Sequence, residues 1–98
     1  MSTEFEWDEN KNKSNIEKHE LDFNYIIQLF AGYRIFEEDK RKNYGEIRYN
    51  TTGEVEGRVY TVAYTIRDKN IRIISARKAH DNERRKYHEA KLKRLERR

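Results

Sequence analysis

Large apolar side chains recur at every second position between Gly57 and Arg67, which is the pattern of a β-strand with two different faces. The residues that share its more apolar face are Tyr60, Val62, Tyr64 and Ile66. The turn-forming Asp68-Lys69-Asn70 follows, and Ile71 to Arg77 is a second strand with an apolar centre. These segments predict a β-hairpin, and a helix is expected after it, from about Asp81 to at least Leu92.

The first half of the chain predicts two helices after a short strand at Phe5 to Trp7. Asp8 is suited to cap a very polar helix from about Glu9 to His19. Asp22 is suited to cap a second helix through about Phe30, which Gly32 ends. The apolar residues of that second helix recur at helical spacing and are Phe23, Ile26, Ile27 and Phe30.

Two further strands are predicted between the second helix and the hairpin. One covers Tyr33 to Glu37, and the other covers Glu46 to Asn50 and ends in a turn at Asn50-Thr51-Thr52-Gly53. The resulting order is β-α-α-β-β-β-β-α. It predicts an α+β domain, in which helices cover one side of an antiparallel sheet.

The composition fits one small domain over residues 1–98, with residues 91–98 as a basic helical tail. Only 35% of the 98 residues are hydrophobic and 41% are charged, so the core is expected to be modest. The chain has no cysteine, no apolar run long enough for a membrane span and no apolar signal sequence. We therefore expect a cytoplasmic protein without disulfides.

The positive charge is concentrated at the end of the chain. The net charge is +4, and residues 77–98 contain ten basic and four acidic residues. Such a segment attracts polyanions such as RNA through a salt-dependent term. A solvated helix surface is the simpler alternative.

Arg67 and Arg77 each end an apolar strand. Guanidinium groups at these positions are suited to neutralise a phosphate and the charge that develops on it during cleavage. Alternatively, they are salt-bridge partners of Glu46 or Glu83. The hairpin register, which the sequence does not fix, decides whether both point to the same face.

Lys18 and His19 end the first predicted helix. A neutral histidine can act as a general base and a lysine can stabilise an anion. Both can equally complement the negative end of the helix dipole.

Tyr87 lies on one face of the last predicted helix with Glu83 and Arg84. It can stack on a base, transfer a proton or pack on the sheet. Arg48 and Arg58, like Arg84, extend the basic surface that RNA would contact. Glu83 also stands three residues after His80, which is the spacing of a helix capping box.

Motifs for cofactors and metals are absent from the sequence. It contains no glycine-rich phosphate loop, no paired-histidine metal motif and no G-x-S-x-G. We therefore expect no cofactor, and a hydrolase built from these residues would be metal-independent.

An ordered set of residues from Phe5 to Tyr87 resembles the BrnT family, bacterial ribonuclease toxins of type II toxin–antitoxin modules with a fold like that of the RelE toxins. The residues are Phe5-Glu6-Trp7-Asp8, Lys11, Asn15, Lys18-His19, Phe23, Arg48, Gly53, Arg58, Tyr64-Thr65-Ile66-Arg67, Arg72 to Ala79, Glu83-Arg84 and Tyr87. The chain departs from the family at Glu20, where glycine is usual, at Asn24-Tyr25, where an acidic pair is usual, and at His80, where threonine is frequent.

The resemblance implies an endoribonuclease that cuts RNA and stops translation. It implies a BrnA-like ribbon-helix-helix antitoxin as partner in a hetero-oligomer, with operator DNA bound only through the antitoxin. It also favours catalytic roles for Arg67 and Arg77, and less strongly for Lys18, His19 and Tyr87. A non-catalytic module that binds nucleic acid or protein is the competing interpretation. In a third interpretation, the antitoxin docks on the basic C-terminal helix and the active edge.

Overall fold

The computed structural model describes residues 4–96 and folds them around one five-stranded sheet. The strands are β1 (Phe5–Trp7), β2 (Arg34–Glu38), β3 (Arg48–Val55), β4 (Arg58–Arg67) and β5 (Asn70–Lys78). The helices are α1 (Glu9–His19), α2 (Phe23–Ile26), a 3-10 helix (Ile27–Ala31) and α3 (Asp81–Glu96). The predicted α+β class is confirmed. Residues 97 and 98 of the predicted basic tail lie outside the described residues.

The sheet has the strand order β1-β5-β4-β3-β2 and is mixed. The prediction of an antiparallel sheet is wrong at β1, which pairs with β5 in parallel and sets Phe5 beside Ile71 and Trp7 beside Ile73. The other three pairings are antiparallel. The Phe5 ring packs on Phe30, with 5.2 Å between centroids, which anchors β1 at this edge. A strand of three residues gives no sequence signal for its direction.

The turn predicted at Asn50-Thr51-Thr52-Gly53 is also wrong, because these residues lie inside β3. Gly53 serves close packing, since a Cβ atom there would lie 2.9 Å from Leu29 Cγ. The chain reverses instead at Glu56 and Gly57, which have φ angles of 51° and 80°. Left-handed backbone at both central positions is what a two-residue hairpin turn requires.

The prediction that helices cover one side of the sheet is wrong, because helices pack on both faces. α1, α2 and the 3-10 helix lie on one face, and α3 lies over part of the other. The larger buried cluster, on the first face, consists of Leu21, Phe23, Ile26, Leu29, Val55, Tyr60, Val62, Tyr64, Ile73 and Ala76. The smaller cluster, under α3, consists of Val59, Ala79 and Tyr87. Much of the α3 side is therefore left open.

Polar contacts hold α1 in place. Asp8 caps it as predicted, by accepting a hydrogen bond from the Asn10 backbone N–H at 2.8 Å. The buried Asn15 side chain accepts a hydrogen bond from the Ala76 backbone N–H at 3.0 Å, so an amide supplies the partner that a neighbouring strand would give to β5. This contact places the end of α1, with Lys18 and His19, beside the end of β5. No helix within residues 4–96 is both long and apolar enough to cross a membrane.

Candidate active site

Arg67 and Arg77 lie at opposite ends of the β4–β5 hairpin. The register pairs Arg67 with Asn70 beside the turn and pairs Arg77 with Thr61. Thr61 and Arg67 are six residues apart on β4, which corresponds to about 20 Å of extended strand. The expectation that the two arginines hold one phosphate together is therefore wrong, although both lie on the α3 side of the sheet.

Arg67 belongs to a cluster that we call the turn end, which consists of Glu46, Arg48 and Arg67. Glu46 accepts hydrogen bonds from Arg48 Nε at 3.1 Å and from Arg67 Nη2 at 3.2 Å. These bonds, first that from Arg48, lower the pKa of the Glu46 carboxyl. The guanidinium of Arg48 also lies 4.1 Å from the centre of the Tyr44 ring. The predicted salt bridge between Arg67 and Glu46 is thus present.

The other end of the hairpin opens into a cleft of about 430 Å³, which we call the edge cleft. The residues that line it are Glu17, Lys18, His19, Glu20, Arg77, Lys78 and His80. The fold thus joins three predicted site residues, Lys18, His19 and Arg77, from opposite ends of the sequence. It adds His80, which the sequence suggested only as a helix cap. Nothing in the linear spacing of His19 and His80 indicated that they share a cleft.

Glu83 fixes the orientation of Arg77. Its carboxylate accepts from Arg77 Nη1 at 2.7 Å and from Nη2 at 3.0 Å. The same carboxylate accepts from the His80 backbone N–H at 2.8 Å, in agreement with the capping-box spacing. The bonds from Arg77 and His80 lower the pKa of Glu83 to about 2 despite its partial burial.

Arg77 keeps donors for a ligand. Its Nη1 also donates to the Lys78 carbonyl at 3.2 Å, so three hydrogen bonds engage the guanidinium. A guanidinium has five N–H groups. The two that remain can bind an anion in the cleft while Glu83 holds the group in place.

Tyr87 is part of the core, and its predicted catalytic role requires correction. Only 1% of its surface is exposed, and its ring packs 5.9 Å from that of Tyr33 and against Val59 and Ala79. Burial, followed by the nearby Glu54 carboxylate, raises the pKa of Tyr87 to about 12. The packing alternative is the one that the structure supports, because RNA cannot reach a buried hydroxyl.

The three other predicted RNA contacts are divided between the two ends. Arg48 is at the turn end, whereas Arg58 starts β4 beside the end of β5, near the edge cleft. Arg84 donates to the Ala79 carbonyl at 3.0 Å and forms an ion pair with Asp81, so it helps to begin α3.

A row of short side chains crosses the α3 side of the sheet at a level between the two ends. Asn50, Ala63 and Ser75 lie side by side on β3, β4 and β5. Ser75 is exposed and the other two are partly exposed. An extended strand of RNA that runs from one end to the other would cross this row, where short side chains allow a close approach to the sheet.

The two ends offer different chemistry. The edge cleft combines a guanidinium, an ammonium and two imidazoles, which suits charge stabilisation together with proton transfer. The turn end offers two cations that share one carboxylate. Within residues 4–96, no group of three or more histidine, aspartate or glutamate side chains is arranged to hold a metal ion.

The family model described as "Ribonuclease toxin, BrnT, of type II toxin-antitoxin system" matches residues 7–83. The matched part runs from the end of β1 into the first turn of α3, and it contains both the edge cleft and the turn end. No curated protein matches the chain.

Proposed function

Because the chain belongs to the BrnT family of ribonuclease toxins of type II toxin–antitoxin systems, we propose that it is a metal-independent endoribonuclease that cleaves RNA and stops translation. A BrnA-like ribbon-helix-helix antitoxin neutralises it in the cytoplasm, and the fold is of the RelE type. The observation that carries the catalytic part is the edge cleft, where Lys18, His19 and Arg77 meet.

The reaction starts from the ribose 2′-hydroxyl, which distinguishes RNA from DNA. One imidazole, of His19 or His80, accepts its proton while the oxygen attacks the adjacent phosphorus. The bond from phosphorus to the 5′-oxygen breaks, and the other imidazole gives that oxygen a proton. Arg77 and Lys18 face the negative charge that builds up on the phosphate. The products are a 2′,3′-cyclic phosphate and a 5′-hydroxyl end.

The turn end binds the same RNA strand several nucleotides away from the cleavage position. Arg48 and Arg67 contact flanking phosphates there, about 20 Å from the cleft. Asn50, Ala63 and Ser75 line the path between the two ends. Arg67 is therefore a binding residue in this proposal and Arg77 a catalytic one.

The test is cleavage of RNA by the purified protein in EDTA. We expect cleavage products with a cyclic phosphate at one new end, and we expect a 2′-deoxy substitution at the cut position to abolish the cut. Two results would contradict the mechanism. One is that the earliest products carry a 3′-phosphate with a free 2′-hydroxyl and no cyclic phosphate. The other is cleavage of the 2′-deoxy substrate.

The second candidate function is a module that binds nucleic acid or protein without cleaving it. The observation in its favour is that a carboxylate already pairs with each candidate arginine, Glu46 with Arg67 and Glu83 with Arg77. It predicts salt-sensitive RNA binding with intact RNA, even when the protein is stoichiometric with its ligand.

A further inference from the structure

Apolar side chains are exposed at one corner of the sheet, on the face opposite α3. Phe36 is 63% exposed, Ile47 58% and Ile66 57%, and the half-buried Tyr49 lies between them. We call these four residues the corner patch. Three of them keep more than half of their surface open, so the described residues 4–96 leave the patch uncovered.

The register makes the patch continuous. Tyr49 lies opposite Tyr64 and its ring is 6.5 Å from that of Phe36. The Thr65 hydroxyl donates to the Ile47 carbonyl at 2.6 Å, which holds Ile47 beside the strand that carries Ile66. An exposed group of this kind marks an interaction site more often than isolated exposed apolar residues do.

Arg34 is a cation at the border of the corner patch, and no carboxylate in residues 4–96 lies within salt-bridge distance of it. Its guanidinium lies 4.8 Å from the centre of the Phe30 ring and 5.3 Å from that of Phe36. It donates only to neutral oxygens, Thr51 Oγ1 at 3.1 Å and the Tyr64 hydroxyl at 3.3 Å. Arg48, Arg67, Arg72 and Arg77 on the other face all have carboxylate partners. A half-buried cation without a counter-charge fits a carboxylate supplied by another molecule.

We propose that the corner patch is the surface on which the antitoxin docks, through a segment that combines apolar side chains with at least one carboxylate for Arg34. The proposal rests on the proposed function, because a toxin of this family implies an antitoxin. The apolar side chains enter the contact with Phe36 and Ile66, and the carboxylate forms an ion pair with Arg34. The loop after β2 adds charge complementarity for an acidic partner through Lys40 and Lys42, which flank an Arg41 that pairs with Asp39.

A protein fits this corner better than RNA does. RNA binding depends on several cations along the strand, and Arg48 and Arg67, the strand arginines nearest this corner apart from Arg34, lie on the opposite face. Isoleucine side chains give a nucleic acid neither stacking nor hydrogen bonds. The antitoxin therefore occupies one face while the RNA path occupies the other.

The experiment measures the affinity of the purified protein for the product of the gene adjacent to its own. We expect Phe36→Ser and Ile66→Ser each to weaken binding by about tenfold or more. We expect Arg34→Gln to weaken binding and also to reduce its dependence on salt. Leu92→Ser is the matched control, because Leu92 is 58% exposed on α3, outside the patch. Its affinity should stay within about twofold of wild type.

Three results would overturn the proposal. The first is wild-type affinity in the patch variants, and the second is no binding by the wild-type protein itself. The third is a loss of RNA binding in folded patch variants whose antitoxin affinity is unchanged, which would assign the patch to the substrate. Affinity is measured without any reaction, so an absence of RNA cleavage would refute the proposed activity and leave the docking result standing.

Discussion

The two ends of the β4–β5 hairpin both present an arginine next to a glutamate, yet they are not equivalent. At the turn end, Glu46 is shared by Arg48 and Arg67. At the edge cleft, Glu83 pairs with a single arginine, Arg77. His19 and His80 line the same cleft. A basic strand end is therefore insufficient to identify a catalytic site. Cleavage also requires groups that transfer protons, and the imidazoles suited to this near neutral pH line the edge cleft and not the turn end.

The largest effect is expected from removing the imidazoles of the edge cleft. His19→Ala and His80→Ala should each lower the single-turnover cleavage rate by about 10²- to 10⁴-fold, because each removes one proton-transfer group. His88→Ala is the control, since His88 is on α3 outside the cleft, and its rate should remain near that of wild type. Equal cleavage rates for His19→Ala, His80→Ala and His88→Ala would contradict a role of the edge-cleft imidazoles in proton transfer.

Glu83→Gln should reduce stability by about 1–2 kcal/mol at pH 7, because it breaks a charge-assisted pair with Arg77 and weakens a helix cap. The pKa of Glu83 is lowered in the folded protein, so its contribution is full above the ordinary value of 4.5 and disappears as the pH falls towards about 2. Urea unfolding of both proteins at pH 7 and pH 3 measures this difference. A gap that is wider at pH 3 would have the wrong sign.

Changes at the turn end should affect RNA binding rather than chemistry. Arg48→Gln and Arg67→Gln should each weaken affinity a few-fold and reduce the salt dependence by about one charge. Glu46→Gln should do the opposite, because it frees both guanidinium groups for phosphates. Affinity measured over a salt titration tests all three. Loss of the cleavage step at saturating RNA would instead place the turn end in the catalytic site.

The smallest effect is expected at Tyr87. Tyr87→Phe keeps the buried ring and removes only its hydroxyl, so cleavage should stay within about twofold of wild type and stability should fall by about 1 kcal/mol. The same cleavage assay and a urea titration measure both. A hundredfold loss of activity in the folded variant would restore the catalytic role that its burial argues against.

The sequence predicts correctly those features of the fold that depend on residues close together in the chain. Asp8 caps α1, and the alternation from Tyr60 to Tyr64 gives the buried face of β4. The residues Asn50 to Gly53 predict a turn because residues of these types are common in turns, but Leu29 packs against Gly53 from a distant part of the chain. The direction of β1 likewise depends on a distant segment, because β1 pairs with β5.

The candidate site shows the same limit. The sequence indicates Arg77 and the pair Lys18 and His19 as separate candidates, and their meeting in one cleft depends on the Asn15 contact with Ala76, which no spacing reveals. The sequence indicates His80 only as a helix cap, because its neighbours in the cleft are far away in sequence. Glu20, which ends α1, adopts the left-handed conformation that glycine favours, with φ of 56°.

The most direct test of the account compares Arg77→Ala with Arg67→Ala in single-turnover cleavage of saturating RNA, with circular dichroism to establish that both variants fold. Arg77→Ala should lower the rate by about 10²- to 10³-fold, as expected for loss of a donor to the reacting phosphate. Arg67→Ala should lower it less than about tenfold, because the substrate is saturating and its role is binding. Equal losses, or a larger loss for Arg67→Ala, would contradict the assignment of catalysis to the edge cleft.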